Sequence, residues 1–392
     1  MDKKVNTWIC GNAGPLDKYN PFKVTQKGIA PEILHILNKG PLTISQISRV
    51  ITKDKTSIEK IMNSLLKINA VRREDGKYWV NFAIFTKDDQ KITFPIGKQY
   101  GKQLACKLLE DKTELSNLAN TIQCCNYIGK DKIIFALVGC FALDWYCLEE
   151  LERNSFLRIH KEQPGKRNYI FQGAEPSGIN VSRLYWGSHS MDAGRYIFTS
   201  FGDHVGPRST LPDILGQMST AVSESEYIKG DSDLREIFAN ILSLYGKNLL
   251  SDCGKLLEAL MTNGEIRSIK SRNALLNFLK KLEYISQESR YYKVKIPVFL
   301  PIDWNIISEI NKRTAKIVCD FLDQNYLEIK DALSKIRPVL NKVPFEEVFV
   351  DVWHKIFGHC NMFLAEEGFM YDPPETPYHV RYLSWIAVKK ED

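Results

Sequence analysis

The stretch from Ala30 to Phe82 constrains the fold of this chain more than any other. Its apolar residues recur at spacings of three and four through three consecutive segments, which is the period of helices that bury one face. Two β-rich runs follow at 71–73 and 77–80, with Asp75-Gly76 between them. Asp-Gly between two such runs is a strong hairpin signal, because both residues tolerate positive φ. The pattern therefore predicts three helices followed by a β-hairpin.

Boundary residues agree with this prediction. Pro31 suits a first helical turn, where its missing N–H costs nothing, and Gly40-Pro41 ends the first helix. Thr43 and Gln46 have the spacing of a capping box at the start of the second helix. The predicted apolar stripes are Ile33, Leu34, Ile36 and Leu37; Ile44, Ile47, Val50 and Ile51; and Ile58, Ile61, Met62, Leu65 and Ile68.

The same segment is echoed later in the chain. Residues 61–85 align without a gap on residues 275–299, so that Asn63 meets Asn277 and Tyr78 meets Tyr292. Both stretches lead into a long predicted helix, a helix with a Phe-x-x-x-Trp pattern and a terminal strand. A period this long indicates two copies of one domain rather than a solenoid. The second predicted hairpin has no glycine at residues 287–290, so we expect it to be longer or looser than the first.

Positive charge is concentrated on these two units. The chain carries a net charge of +6, while residues 49–82 carry +4 and residues 267–297 carry +6, so the remainder is acidic. Such clustering is the electrostatic pattern expected of proteins that bind a nucleic-acid duplex.

Composition excludes several classes. Nine cysteines without framework or zinc spacing predict reduced thiols in a cytoplasm and no structural metal. The N-terminus lacks a signal pattern, and the apolar run 133–148 is interrupted by Asp144 and too short for a bilayer crossing, so no membrane is expected. Neither a phosphate-binding Walker loop nor a GxSxG elbow is present, so we expect no cofactor and no catalysis.

Residues 30–82 resemble the winged-helix domains of bacterial transcription regulators of the MarR and ArsR kind. The resemblance rests on GPLTISQIS, DKTSIEKIMNSLLKINAV and RREDGKYW. In those regulators the third helix enters the major groove and the hairpin, or wing, contacts the backbone or minor groove. Lysine and arginine suit phosphates, and asparagine can pair with adenine twice. The implied DNA contacts are Lys53, Lys55, Thr56, Ser57, Lys60, Asn63, Lys67, Arg72, Arg73 and Lys77, and in the second copy Lys270, Ser271, Arg272, Asn273, Asn277 and Arg290.

A second resemblance fails its own test. The same pattern is similar to the N-terminal dimerisation domain of small-molecule O-methyltransferases, which requires a glycine-rich cofactor loop after a later strand. The nearest candidate, residues 133–141, contains one glycine and lacks the acidic residue that should follow.

The central segment holds the best candidates for a ligand site. Two strand-like runs flank a turn at residues 191–194, which predicts a hairpin. Aromatic, acidic and basic residues gather in and after it: Trp186, His189, Asp203, His204 and Arg208. Three alternatives stay open: an effector pocket in which Arg208 or His204 holds an anion, a metal held by His189, Asp203 and His204, or a structural loop.

Together these features predict an α+β chain with two winged-helix domains from an internal duplication, joined by a central β-rich segment. The predicted divisions are an N-terminal arm (1–29), winged-helix domain 1 (30–88), a helical segment (89–155), the central β-rich segment and linker (156–232), winged-helix domain 2 (233–302), and a helical segment with a terminal strand (303–392).

The predicted function is sequence-specific DNA binding by a bacterial-type transcription regulator. Expected partners are double-stranded DNA, a small-molecule effector at the central segment and a second copy in a homodimer. One alternative is a tandem winged-helix interaction or scaffold protein in a nucleic-acid-associated assembly. Separately, a dimerisation or packing role stays open for the second copy. Another is an enzyme built on the Asp203-His204 loop.

Overall fold

The computed structural model of the 392-residue chain describes residues 5–15, 17–179, 183–204, 206, 208–215, 232–263, 266–267 and 273–390. The principal helices are α1 (Pro21–Thr25), α2 (Ala30–Lys39), α3 (Ile44–Ile51), α4 (Lys55–Lys67), α5 (Lys87–Glu110), α6 (Lys112–Asn120), α7 (Cys125–Ile128), α8 (Lys130–Ile134), α9 (Cys147–Arg153), α10 (Ser232–Tyr245), α11 (Leu249–Asn263), α12 (Asn273–Lys281), α13 (Trp304–Ala332), α14 (Arg337–Leu340) and α15 (Phe345–Glu366), with a π-helical segment at Phe135–Tyr146.

The strands are β1 (Asn6–Asn12), β2 (Val71–Glu74), β3 (Lys77–Val80), β4 (Ala83–Phe85), β5 (Glu162–Gln163), β6 (Arg167–Ala174), β7 (Tyr185–Ala193), β8 (Tyr196–Asp203), β9 (Ile266–Arg267), β10 (Ile285–Glu288), β11 (Tyr291–Val294), β12 (Val298–Phe299) and β13 (Tyr382–Val388). Helices and strands are mixed along the chain, so the α+β class is confirmed.

The chain divides into two compact units, each assembled from three separate segments. Unit 1 comprises residues 1–100, 147–181 and 318–356, and unit 2 comprises residues 101–146, 182–317 and 357–392. Each unit therefore draws on both halves of the sequence. This grouping differs from the six consecutive divisions expected from the sequence, because each unit collects segments that are far apart in the chain.

Unit 1 contains a sheet with strand order β1-β6-β4, to which β5 adds an edge. Strand β1 pairs antiparallel with β6 from Asn6↔Ala174 to Asn12↔Asn168, and β4 pairs with β6 in parallel. Residues 6–12 thus form a full strand, whereas the polar composition of residues 1–29 predicted an arm. The partner strand lies about 160 residues away, so only the tertiary fold reveals the pairing.

Helices α2–α4 and the β2–β3 hairpin form the three-helix and hairpin module that the periodicity predicts. The capping box of Thr43 and Gln46 is present at the start of α3. The stripes of α2, α3 and α4 pack into one apolar cluster, with Ile47 and Met62 fully buried. Val50 was predicted to belong to this core, but 59% of it is exposed. At about 100° per residue, Val50 lies at the edge of the stripe, about 100° around the helix from Ile51, so its side chain faces solvent.

Two tight hairpins have turns of the same length, two residues each, although only the first has positive φ at both turn residues. The first turns at Asp75 (φ 48°) and Gly76 (φ 73°), and the second turns at Ser289 (φ 58°) and Arg290. The expectation of a longer or looser second hairpin was wrong. Serine accepts the left-handed conformation at a cost that the surrounding ladder offsets, so glycine is favoured in such a turn but not required.

Unit 2 contains a sheet with strand order β12-β13-β8-β7. Strand β13 is parallel to β12 and antiparallel to β8, from Tyr382↔Gly202 to Val388↔Tyr196. Strands β7 and β8 form the hairpin that the central segment predicts, turning at Gly194 (φ 70°). The linker predicted at the end of the 156–232 segment, over residues 219–232, lies almost wholly outside the described residues.

Individual hydrogen bonds recur 214 positions apart. The amide of Asn81 donates to Ala70 O at 3.0 Å, and that of Lys295 donates to Tyr284 O at 2.9 Å. Each bond fixes the exit of its hairpin toward the next strand. The sequence alignment of residues 61–85 with 275–299 has the same offset.

Two aspartates, one in each unit, accept matching pairs of hydrogen bonds. Asp89 accepts hydrogen bonds from the amide three residues before it and from the amide of Arg337, at 2.7 and 2.9 Å. Asp303 does the same with the amide three residues before it and that of Gln123, at 2.8 and 3.2 Å. Arg337 lies 214 positions after Gln123. The bonds match although each joins the N-terminal half of the sequence to the C-terminal half.

Each of the two sheets has one glycine at a corresponding point of close backbone approach. A Cβ on Gly11 would lie 2.7 Å from Asn168 O, and a Cβ on Gly202 would lie 2.1 Å from Arg381 O. Both glycines are on the strand antiparallel to the central strand, so each sheet requires a residue without a side chain there.

Among the described residues, no helix combines the length and hydropathy needed to cross a bilayer.

Candidate nucleic-acid interface

Helix α4 begins at a firmly held N-cap. The Asp54 carboxylate accepts hydrogen bonds from the Ser57 hydroxyl at 2.7 Å and from the Ser57 amide at 2.8 Å. These bonds lower the pKa of Asp54 below its usual range, so the capping carboxylate stays ionised at neutral pH. The Ser57 hydroxyl, predicted as a DNA contact, is therefore engaged in the cap, and its use on DNA would cost that bond.

The face of α4 opposite the core is polar and exposed. Ile58, Met62 and Leu65 are fully buried beneath the helix. The exposed predicted contacts are Lys53, Lys55, Thr56, Lys60, Asn63 and Lys67. Thr56, Lys60, Asn63 and Lys67 follow one another at spacings of four, three and four, which places them in one stripe. Helix α4 thus presents cations and an amide along a single surface.

A tyrosine missed by the sequence analysis extends this stripe. The Lys67 ammonium lies 5.2 Å from the ring centroid of Tyr19, and the Lys18 ammonium lies 5.1 Å from the same centroid. Cations at this range are attracted by the ring quadrupole. The Tyr19 ring thus brings the Lys18 ammonium close to Lys67, which ends α4. No motif or periodicity pointed to Tyr19, which lies in the stretch predicted to be an arm.

Two cations of the β2–β3 hairpin are exposed beside α4, whereas a third is hydrogen-bonded within the unit. Arg73 and Lys77 are exposed, and the Arg73 guanidinium lies 5.6 Å from the ring of its cross-strand partner Tyr78. Arg72 instead donates to Glu74 Oε1, Val80 O and Asn341 O at 2.8–3.0 Å. Arg72 was predicted as a wing contact, but these three bonds make it a structural residue.

The second set of predicted contacts is only partly described. Asn273 and Asn277 are exposed on α12, and Arg290 is exposed at the tip of the β10–β11 hairpin. Lys270, Ser271 and Arg272 lie outside the described residues. Asn277 lines a groove within unit 2, together with residues of the C-terminal segment 371–384. Residues of the C-terminal segment therefore lie beside the face of α12 that would have to enter DNA.

The central loop uses its charged residues internally. Asp203 is fully buried, and its carboxylate accepts from Arg381 Nη2 at 2.7 Å and Nε at 3.1 Å. Arg208 is also fully buried and donates to Ser200 Oγ, Gly187 O and Asp203 O at 2.6–3.0 Å. An anionic effector would have to displace these partners. The arrangement favours the structural-loop alternative for Asp203 and Arg208.

The remaining central candidates have separate partners. His189 Nδ1 lies 2.5 Å from Asp213 Oδ1, and the His204 ring contacts buried Trp186 in a tilted arrangement, with centroids 4.5 Å apart and an interplanar angle of 57°. His189, Asp203 and His204 do not bring one ligand atom each within 4.8 Å of one another, which argues against the metal alternative. In the described residues the group that meets this distance is Glu149, Glu152 and His160. His160 forms ion pairs with both glutamates, which raise its pKa, chiefly through Glu152.

Asp144 is a buried acid near this loop that the sequence analysis noted only as an interruption. It is 4% exposed, and burial raises its pKa to about 7, although the Ser188 hydrogen bond and the Arg208 charge oppose the shift. The pKa of an aspartate in an unfolded chain is about 3.8. The folded chain therefore binds the extra proton between about pH 4 and 7.

The free energy of unfolding should accordingly fall as pH rises through this window, by about 1 kcal/mol per pH unit from Asp144 alone. The variant Asp144→Asn is expected to remove this part of the decline, measured as urea midpoints at about pH 5 and 7. Asp323→Asn, on the exposed face of α13, is the control and should leave the pH dependence unchanged. An identical pH dependence in wild type and Asp144→Asn would contradict the assignment.

No protein-family model, curated protein or solved structure matches this chain.

Proposed function

We propose that the chain is a DNA-binding regulator whose α2–α4 and β2–β3 module is a winged helix that inserts α4 into the major groove. One observation carries the proposal: the exposed stripe of Lys60, Asn63 and Lys67 on a capped helix whose opposite face is fully buried. A rigid helix with a cationic and amide-bearing outer face has the chemistry for phosphate and adenine contacts. Arg73 and Lys77 would bind the flanking backbone from the hairpin.

Pairing between β3 and an earlier segment supports the winged-helix assignment. Leu42 forms a bridge with Tyr78, so a third short strand segment lies beside the hairpin. In unit 2, Ile266 on β9 pairs with Tyr292, which lies 214 positions after Tyr78. A short strand before the recognition helix and two after it make up the small sheet of a winged helix.

We infer further that the two modules arose by internal duplication. Support comes from the constant offset of 214 in sequence and in hydrogen bonds, and from the matching sheets β1-β6-β4 and β8-β13-β12. In each sheet the first strand named (β1 or β8) is antiparallel to the middle strand, and the last (β4 or β12) is parallel to it. On this view the two sequence halves are the two copies, and each unit contains helices from both of them, as in a domain-swapped dimer.

A mobility-shift titration at several salt concentrations tests the proposal. About four to six cations reach the duplex in this geometry, so the logarithm of the association constant should fall with the logarithm of salt with a slope of about −4 to −5. A mixed-sequence duplex of about 30 base pairs serves as the probe. A scaffold protein, the main alternative, would give no salt-dependent affinity, and that result would refute the proposal.

A further inference from the structure

Unit 2 contains an open groove of about 1000 Å³. One wall is helix α12, and another is the C-terminal segment 371–384; Lys132 on α8 and Lys295 after β11 also line it. Its volume lies at the upper end of the range for small-molecule sites. All of its lining residues belong to unit 2.

The groove is strongly basic for its size. Lys132, Lys280, Lys281 and Lys295 line it against a single acid, Glu283. The four lysines come from three separate parts of the chain. Because one opening collects so much positive charge, it suits a ligand carrying several negative charges. The Lys280 ammonium also donates a hydrogen bond to Gln287 Oε1 at 2.9 Å.

Aromatic rings line the same groove. Tyr371, Tyr378 and Tyr382 contribute rings, and Tyr378 is 40% exposed. The Tyr382 hydroxyl accepts a hydrogen bond from the Ser209 amide at 3.0 Å, so its ring is fixed. Burial raises the pKa of Tyr382 to about 12, and this hydroxyl therefore stays neutral beside an anion. Rings of this kind stack on planar heterocycles.

We propose that this groove binds a nucleotide, with the lysines on its phosphates and a tyrosine, most directly Tyr378, on its base. Polyanion and planar ring are the two chemistries that the lining offers together. A duplex fits less well, because a helix must protrude to enter the major groove, whereas α12 shares the groove with residues 371–378. The proposal does not depend on DNA binding by α4.

Calorimetric titration of the full chain with ATP, adenosine and inorganic triphosphate tests the proposal without DNA. ATP should bind at least tenfold more tightly than adenosine. The double variant Lys281→Gln with Lys295→Gln should weaken ATP at least tenfold. Tyr378→Ala should weaken ATP several-fold and leave inorganic triphosphate unchanged, which separates the ring contact from the phosphate contacts.

The matched control is Lys107→Gln with Lys255→Gln, which removes two exposed lysines elsewhere in unit 2. Control and wild type should bind ATP equally, and urea midpoints should show that every variant is folded. Absent ATP binding, equal affinity for adenosine and ATP, or equal weakening by the control would overturn the proposal. So would a lysine variant that lowers duplex affinity in a chain that does not bind ATP, since the groove would then be a nucleic-acid surface.

Discussion

The double variant Lys60→Ala with Asn63→Ala is expected to weaken binding to a selected duplex about 100-fold. An asparagine paired twice with adenine contributes about 1–3 kcal/mol of discrimination, and a lysine on a phosphate adds a salt-dependent part. Both side chains are exposed on α4 above a buried stripe, so truncation should leave the fold intact. The measurement is a mobility-shift titration against duplexes that the wild-type chain selects from a randomised pool.

The single variants divide this loss into its parts. Lys60→Ala should weaken all duplexes alike and reduce the salt slope by about 1, whereas Asn63→Ala should relax the sequence preference. Lys91→Ala serves as the matched control, since Lys91 is exposed on α5 in the same unit, with 71% of its side chain accessible. Equal losses in Lys60→Ala and Lys91→Ala would mean that α4 is not the recognition helix. Asn277→Ala should leave duplex affinity unchanged if the groove in unit 2 has the role proposed above.

The second large effect is expected at the buried ion pair of unit 2. Arg381→Leu should lower the free energy of unfolding by about 3–5 kcal/mol, because it leaves the Asp203 carboxylate buried without its bidentate partner. The side chains of Asp203 and Arg381 are 1% and 13% exposed, so water screens the pair poorly. Urea unfolding followed by circular dichroism measures the loss, with the m-value checked for constancy.

Arg183 provides a control on the same carboxylate. Its Nη1 lies 3.7 Å from Asp203 Oδ2, and 34% of its side chain is exposed. Arg183→Leu should cost no more than about 1 kcal/mol, as is usual for exposed pairs. A similar loss for Arg183→Leu and Arg381→Leu would show that the bidentate geometry and burial of the Arg381 pair have no special weight.

The sites differ in how far the sequence could predict them. Lys60 and Asn63 were placed correctly on the outer face of α4 because helical period and capping are local signals. Arg72 and Arg208 could not be assigned in this way. Each looked like a cation available to a ligand, but folding brings two backbone oxygens and one side-chain oxygen within hydrogen-bond distance of each guanidinium. One of them, Asn341 O, lies 269 positions from Arg72.

The groove in unit 2 shows the same limit on a larger scale. Asn277 and Lys281 occupy positions equivalent to Asn63 and Lys67, so the repeat predicted a second DNA-reading surface. In the folded chain, residues 371–378 line the groove beside them. Positions that align in sequence therefore have different neighbours, because the segment beside α12 comes from the far end of the chain.

The sequence by itself determined the local elements: the helix stripes, the capping box at Thr43, the two hairpins and the offset of 214 that relates them. The stripes, the cap and the hairpins depend on interactions within about ten residues, so composition and spacing predict them directly. The offset is found by aligning the two stretches of sequence. The tertiary structure alone decided that β1 pairs with β6, that Asp89 and Asp303 bond amides from opposite halves of the chain, and that Arg208 lies in the core. Those outcomes depend on contacts between residues far apart in sequence, where burial and hydrogen-bond satisfaction select the partner and no local pattern identifies it.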